Sequence, residues 1–161
     1  MGLPQGETIG TYEIVAVIGR GGMATVYKAY HERLDRHVAI KLMHTTFLQD
    51  DGFHARFQRE ARIVAKLEHP AIVPIYDYDE HNDIPYLVMR LVDGMTLKKH
   101  YIKRGMTIQE IESTLTKIAE GLDYAHEQGI LHRDMKPSNI LIDSNGQPFI
   151  TDFGLARIAE A

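Results

Sequence analysis

Residues His132 to Asn139 read HRDMKPSN, and Asp152 follows in TDFG, thirteen residues after Asn139. Asp134 is suited to accept or orient a hydroxyl proton, and Lys136 to neutralise charge near a transferred phosphoryl group. Asn139 offers a carbonyl oxygen and Asp152 a carboxylate, and hard cations prefer such oxygen ligands. A solvated polar loop explains any one of these residues. It does not explain why all four occur between short apolar segments.

Length and composition restrict the class of protein. The chain has 161 residues, a net charge of -4 and no cysteine, so we expect one soluble domain in the cytoplasm. The acidic balance argues against a nucleic-acid partner. No apolar run approaches the ~20 residues of a membrane span. The nine histidines are scattered without the pairing typical of a metal site, so we expect no metal site built from histidines.

The first half of the chain has the alternation of β-strands. Residues 12–42 read as strand, glycine-rich turn and two further strands. Residues 51–68 change to helical spacing, with apolar side chains on one face and charged ones elsewhere. Strand character returns in residues 71–78 and 85–94. The sequence therefore predicts a small antiparallel sheet with one helix.

The second half is helical before it ends in short strands. Thr96 is placed to cap a short helix that ends at Gly105. Thr107 and Glu110 form a capping box for a long amphipathic helix, which Gly129 is placed to end. The segment RLVDG between the halves is the predicted connector. We therefore expect an α+β protein with a sheet-rich lobe followed by a helical one.

The glycine-rich turn is a candidate phosphate site. Gly19, Gly21 and Gly22 leave backbone N–H groups open to anionic oxygens. Taken alone, the pattern is more typical of a plain glycine-rich hairpin turn. Ala24 stands where a third glycine of the G-x-G-x-x-G pattern would be. The turn also joins two strands instead of opening a helix, which disfavours a dinucleotide site.

A lysine within an apolar strand forms the second candidate. Lys41 ends VAIK, and a lysine in a strand is often merely exposed. If it is buried, its ammonium group needs a counter-charge. Glu60 on the predicted helix is a suitable partner, and the pair would hold the lysine against phosphates.

Four ordered motifs now resemble those of protein kinases. GRGGMATVYKA, VAIK, HRDMKPSNIL and DFGLA match the family's glycine-rich loop, strand lysine, catalytic loop and metal loop. The resemblance runs from Tyr12 to Arg157. The sequences of the motifs are most similar to those of bacterial members of the eukaryotic-like Ser/Thr kinases. Lys136, two residues after the catalytic-loop aspartate, suggests serine/threonine specificity. The resemblance implies a two-lobe kinase fold, with ATP and Mg²⁺, or Mn²⁺ in its place, bound between the lobes.

The resemblance also implies roles for individual residues. Catalytic roles fall to Asp134, Lys136, Lys41 and Glu60. The nucleotide contacts are Ile18, Gly19, Gly21, Gly22, Val26, Ala39, Lys41, Met89, Leu91, Val92 and Leu141. The magnesium ligands are Asn139 and Asp152. Arg90 departs from the acidic residue common in the hinge. Val64, Ile75, His132 and Phe153 match an apolar column of the family, which makes His132 structural.

We expect residues 1–11 to be an N-terminal extension, 12–92 the N-lobe and 93–161 a partial C-lobe that stops shortly after DFG.

Two function classes stay open. One is transfer of the ATP γ-phosphoryl group to a Ser or Thr hydroxyl of a protein substrate. The other is a truncated fragment that binds nucleotide or a partner protein without phosphotransfer. With only a partial C-lobe, the apolar surface on the long helix and around Ile140 and Ile150 would lack part of its cover. We expect dimerisation through this surface.

Overall fold

The computed structural model describes residues 2–154, which form two compact units. One unit comprises residues 2–61 with Ile75–Leu91, and the other comprises Arg62–Pro74 with residues 92–154. The sequence predicts a single boundary between the two lobes, after residue 92. In the structure Arg62–Pro74 groups with the second unit, and Val73 donates its N–H to the Ile150 carbonyl at 3.0 Å. Leu155 to Ala161, including the last residues of DFGLA, lie outside the described residues.

The first unit is built on a six-stranded antiparallel sheet with the spatial order β1-β2-β3-β4-β6-β5. Its strands are β1 (Thr8–Ile9), β2 (Tyr12–Arg20), β3 (Ala24–His31), β4 (Arg36–Met43), β5 (Ile75–His81) and β6 (Ile84–Arg90). Helix α1 (Phe53–Val64) lies between β4 and β5 in the sequence. It is shorter at both ends than the predicted helix over residues 51–68. The predicted sheet with one helix is otherwise confirmed.

The core of this unit lies on one face of the sheet. It contains Ile9, Tyr12, Ile14, Tyr27, Ala29, Val38, Ile40, Leu42, Tyr86 and Val88. On β4 these are the even-numbered residues, so the odd-numbered ones point to the opposite face. Every residue of β4 from Val38 to Met43 is nonetheless buried. Both faces of this strand are therefore covered, which explains its continuous apolar sequence.

The segment predicted as an N-terminal extension belongs to this core. Thr8 and Ile9 pair with β2, and the Ile9 side chain is fully buried. The N–H of Gly6 donates to the Ile14 carbonyl at 2.9 Å, and the N–H of Ile14 donates to the Glu7 carbonyl at 2.8 Å. A two-residue strand is too short to show alternation, so this pairing could not be predicted from the sequence.

The second unit combines a three-stranded antiparallel sheet with two helices. Its elements are β7 (Gly94–Thr96), α2 (Leu97–Arg104), α3 (Ile108–Glu127), β8 (Ile140–Asp143) and β9 (Pro148–Ile150), and the sheet order is β7-β8-β9. The predicted caps are confirmed. The Thr96 hydroxyl accepts the N–H of Lys99, and both bonds of the capping box between Thr107 and Glu110 are present. Within residues 2–154 no helix is long and apolar enough to cross a bilayer.

The expected exposure of apolar surface is correct for one end of α3 and wrong for the strands. Ile140 and Ile150 are 5% and 0% exposed, because they pair with each other across β8 and β9. Ile108 and Leu115 on α3 are exposed at 79% and 56%. The first half of α3 and helix α2 line an apolar pocket of about 250 Å³. The second half of α3 is covered, and Ile118 is buried.

Replacing Thr107 with alanine is expected to lower the free energy of unfolding by about 1 kcal/mol, because the Glu110 N–H loses its capping acceptor. The measurement is urea denaturation followed by circular dichroism. Thr116→Ala is the matched control. Its hydroxyl bonds to the Glu112 carbonyl within the helix, where alanine is the better helix former. An equal loss of stability in both variants would contradict the capping role.

Candidate functional site

The glycine-rich turn joins β2 to β3 in the first unit. The N–H of Gly21 donates to the Ala24 carbonyl at 2.9 Å and closes the turn. A Cβ atom on Gly22 would have no heavy atom within 4 Å, and neither Gly19 nor Gly21 would meet anything closer than 3.7 Å. None of the three has a positive φ. The fold itself therefore does not require glycine at these positions, and the open backbone is available to a ligand.

The strand register brings several predicted nucleotide contacts to one face of the sheet. Val26 on β3 stands opposite Lys41 on β4, and Ala39 stands opposite Met89 on β6. Directly paired residues share a face, as do residues two apart. Val26, Ala39, Lys41 and Met89 thus lie together, on the face opposite the core cluster. Gly19 pairs with Val26 at the end of β2.

Ile18 lies beside this arrangement in a β-bulge. The register between β2 and β3 shifts between Val17 and Gly19, and the Ile18 side chain is 47% exposed. A bulge leaves the extra residue outside the normal alternation and can redirect its side chain. The predicted contact is therefore on the surface, next to the glycine-rich turn.

Lys41 and Glu60 are both buried, with 8% and 5% of their surfaces exposed. The interpretation of Lys41 as an ordinary exposed strand lysine is therefore wrong. Burying an ammonium or a carboxylate is costly unless it meets an opposite charge or hydrogen bonds. Glu60 also has the Arg59 guanidinium 3.6 Å from its Oε1. A cation and an anion buried in the same unit support the expected pairing.

The remaining predicted nucleotide contacts are divided between the units. Leu91 is the last residue of the first unit, directly after β6, and Val92 belongs to the second. Leu141 lies on β8, where it pairs with Thr96 on one side and Phe149 on the other. Arg90, the departure noted in the sequence, is an exposed residue at the end of β6.

The catalytic loop in the second unit is organised around Asp134. Its N–H donates to Nδ1 of His132 at 3.2 Å, and Lys136 Nζ lies 3.2 Å from its Oδ2. Asn139 Nδ2 donates to the Asp134 carbonyl at 2.9 Å and to Oδ2 at 3.2 Å. The hydrogen bond from Lys136 holds the pKa of Asp134 below its ordinary range. The carboxylate is therefore ionised at neutral pH and half-exposed.

These bonds also fix the orientation of the Asn139 amide. A backbone carbonyl only accepts hydrogen bonds, so the atom 2.9 Å from the Asp134 carbonyl is the NH₂ nitrogen. The amide oxygen Oδ1 is then the atom left to coordinate a cation. Asn139 is 6% exposed, which restricts its side chain to this orientation. The donor chemistry fits a magnesium ligand.

Thr151 connects the catalytic loop to the segment that carries Asp152. Its N–H donates to the Asn139 carbonyl at 3.0 Å, and its carbonyl lies 2.7 Å from His132 Nε2. Because Nδ1 of His132 accepts a bond, Nε2 carries the proton and donates it. Asp152 follows with a positive φ of 66°, which costs energy for a non-glycine residue and is often found at functional sites.

Sequence reasoning missed Thr151, because its contribution comes from backbone atoms, which leave no signal in residue type. It placed His132 correctly as a buried residue: the ring is 2% exposed and its centroid lies 4.7 Å from that of Phe153. Val64 is also buried.

Within residues 2–154 no group of three or more His, Cys, Asp or Glu side chains is arranged to hold a metal. A cation here would depend on Asn139, Asp152 and oxygens of its ligand.

Removing the Lys136 cation is expected to raise the pKa of Asp134 toward its ordinary range, because the hydrogen bond that stabilises the ionised carboxylate is lost. The comparison is Lys136→Met against the parent chain by ¹³C-detected NMR titration. Lys117→Met is the matched control, since that lysine bonds to Gln147 instead. An unchanged pKa in Lys136→Met would contradict the interaction.

Comparison with known proteins identifies the family of the chain. The protein kinase domain family matches residues 12–161. The chain is 46% identical over 154 residues to a probable serine/threonine-protein kinase of Streptomyces coelicolor, and 47% identical over 148 residues to the serine/threonine-protein kinase PrkC of Bacillus subtilis. These alignments cover 92% and 91% of the chain but 23% of each relative.

A solved structure agrees in fold. The kinase domain of Mycobacterium tuberculosis PknI is 33% identical and superposes with a TM-score of 0.86, covering 99% of this chain and 63% of that one. The predicted kinase-like α+β fold is thereby confirmed. The chain belongs to the protein kinase domain family, among relatives named as bacterial serine/threonine-protein kinases.

Proposed function

We propose that the chain binds ATP with Mg²⁺, or with Mn²⁺, and transfers the γ-phosphoryl group to a serine or threonine hydroxyl of a protein substrate. One observation carries the proposal. The hydrogen bonds of Thr151 and Asn139 tie Asp134, Asn139 and the residue before Asp152 into one cluster. This cluster supplies an ionised carboxylate for the hydroxyl and two oxygen ligands for a hard cation.

The proposed roles follow from the chemistry of each side chain. Asp134 orients the attacking hydroxyl and accepts its proton, and its low pKa keeps it ionised for that purpose. Lys136, whose side chain is about half-exposed, neutralises charge on the transferred group. Asn139 and Asp152 hold the cation that screens the phosphates. The acceleration comes mainly from positioning and electrostatics, since the protein makes no covalent bond to the phosphoryl group.

The nucleotide is held by the face of the first sheet that carries Lys41. Lys41, backed by Glu60, contacts phosphate oxygens, and the glycine-rich turn donates backbone N–H groups to them. Apolar side chains surround the adenine ring, and the backbone after β6 supplies its hydrogen bonds. We assign these contacts to Ile18, Val26, Ala39, Met89, Leu91, Val92 and Leu141.

Two glycine-to-alanine variants separate a ligand requirement from a folding requirement. Gly22→Ala is expected to leave the melting temperature without ligand unchanged, because the new Cβ meets nothing, and to weaken ATP binding about tenfold, because it obstructs the phosphates. Gly94→Ala is the contrast. Its Cβ would lie 1.9 Å from the backbone oxygen of Ile142, so it is expected to lower the melting temperature. Calorimetry and thermal melts measure both effects. Unchanged ATP affinity in Gly22→Ala would count against a phosphate site at this turn.

Phosphotransfer itself is tested with labelled ATP, Mg²⁺ and a generic Ser/Thr protein substrate. Lys41→Met and Asp152→Asn are each expected to reduce label transfer by about 100-fold or more, because each removes a charge that the transition state requires. Lys66→Met and Asp123→Asn are matched controls at exposed positions and should retain activity.

The alternative function is nucleotide or partner binding without transfer. Stoichiometric ATP binding with no label transfer would support this alternative and remove the catalytic proposal. Absence of both ATP binding and transfer would remove the catalytic proposal and the nucleotide-binding alternative, and would leave binding of a partner protein.

We also propose that the reaction takes place in the cytoplasm, where ATP and Mg²⁺ are supplied. Self-association, if it accompanies function, would use the apolar surface of α2 and α3, where Tyr101, Ile102 and Leu115 are more than half exposed. Sedimentation velocity across a range of protein concentrations tests this. A purely monomeric chain would remove the proposal.

A further inference from the structure

His44, the residue directly after β4, makes two hydrogen bonds to the glycine-rich turn and one to the start of β3. Its backbone N–H donates to the Met23 carbonyl at 2.7 Å. Its ring nitrogen Nδ1 lies 3.1 Å from the Gly22 carbonyl, and Nε2 lies 3.1 Å from the Thr25 hydroxyl. One side chain thus joins the tip of the turn, the start of β3 and the end of β4, all within the first unit.

The direction of these bonds follows from their partners. A backbone carbonyl only accepts, so Nδ1 carries the proton and donates it to Gly22. In the neutral ring Nε2 then accepts from the Thr25 hydroxyl. If the ring is protonated, Nε2 donates to the same hydroxyl, which can accept as well as donate. The link between the three residues is therefore possible in either protonation state of His44.

Local helix capping does not account for this side chain. His44 is the N-cap residue of a short 3₁₀ helix, Thr45–Gln49, yet its side chain makes no capping bond. N-cap positions favour Ser, Thr, Asp and Asn, whose side chains bond to the following turn. The imidazole instead bonds to residues about twenty positions earlier. Thr25, its partner, is 8% exposed, so the link is anchored on a fixed strand.

Ordering the glycine-rich turn is costly. Gly21 and Gly22 are exposed, and a glycine loses more conformational freedom on ordering than any other residue. A ligand that requires an ordered turn must supply that cost from its binding energy unless the protein orders the turn beforehand. The two side-chain bonds of His44 order the turn in this way before any ligand binds.

We propose that His44 is a positioning residue of the phosphate-binding turn, which holds the Gly22 carbonyl and Thr25 in the conformation that receives the phosphates of ATP. The inference rests on the proposed function and deepens it. His44 does not touch the nucleotide. It acts on phosphate affinity by restraining the backbone that binds the phosphates.

Calorimetry with ATP·Mg²⁺ and with adenosine separates positioning from general support of the fold. His44→Ala is expected to raise the dissociation constant for ATP about 5- to 10-fold and to change that for adenosine less than twofold, because adenosine has no phosphates. His44→Asn should recover part of the ATP affinity, since its amide nitrogen can occupy the position of Nδ1. His37→Ala, at the other end of β4, is the matched control and should bind both ligands normally.

A double-mutant cycle and hydrogen exchange complete the test. If the link operates through Thr25, the effects of His44→Ala and Thr25→Val on ATP affinity are less than additive. Without ligand, the Gly21 amide hydrogen, which bonds to the Ala24 carbonyl, should exchange about 5- to 10-fold faster in His44→Ala.

The outcomes are distinguishable. Unchanged ATP affinity in His44→Ala, or equal losses for ATP and adenosine, would overturn the positioning role while the proposed function stands. A parent chain that binds no ATP would overturn the proposed function. In that case faster Gly21 exchange in His44→Ala would still support the restraint by His44, and unchanged exchange would overturn it.

Discussion

The peptide unit at Thr151 is the constraint on which the candidate catalytic centre depends. Its N–H bonds to the Asn139 carbonyl, and its carbonyl accepts from His132. These two bonds join the end of the catalytic loop to the backbone that carries Asp152. Since the side chain of Asn139 bonds in turn to Asp134, the proposed proton acceptor and both proposed metal ligands share one network. A change to any member would be felt by the others.

The network depends on the small sheet beneath it. Ile140 pairs with Ile150, so Asn139 and Thr151 meet as the next positions beyond the two strands. Helix α3 packs closely on this sheet, since a Cβ on Gly121 would lie 3.1 Å from the Ile150 side chain. Burial of these apolar residues supplies the stability, and the polar loops at the strand ends carry the residues of the proposed catalytic centre. This division is common in enzymes, where a packed scaffold positions loop residues.

Much of this arrangement could be predicted from sequence, because motifs and caps are local. Residue type and spacing make Asp134, Asn139 and Asp152 candidate site residues, and the pattern at Thr107 predicts the capping box that the structure confirms. Thr151 could not be found in this way, since its bonds come from backbone atoms. The pairing of Ile9 with β2 involves too few residues for periodicity. His44 belongs to no motif, and its link to Gly22 arises only when the β3 and β4 strands pair.

The central claim is that Asn139 and Asp152 hold the divalent cation that accompanies ATP. Paramagnetic broadening tests it most directly, because Mn²⁺ broadens the NMR signals of nearby nuclei. With Mn²⁺ and ATP present, the Asn139 side-chain amide and the Asp152 backbone amide should broaden selectively relative to a Mg²⁺ reference, and Asp152→Asn should abolish the effect. Undiminished signals at both residues, or equal broadening in Asp152→Asn, would contradict the account.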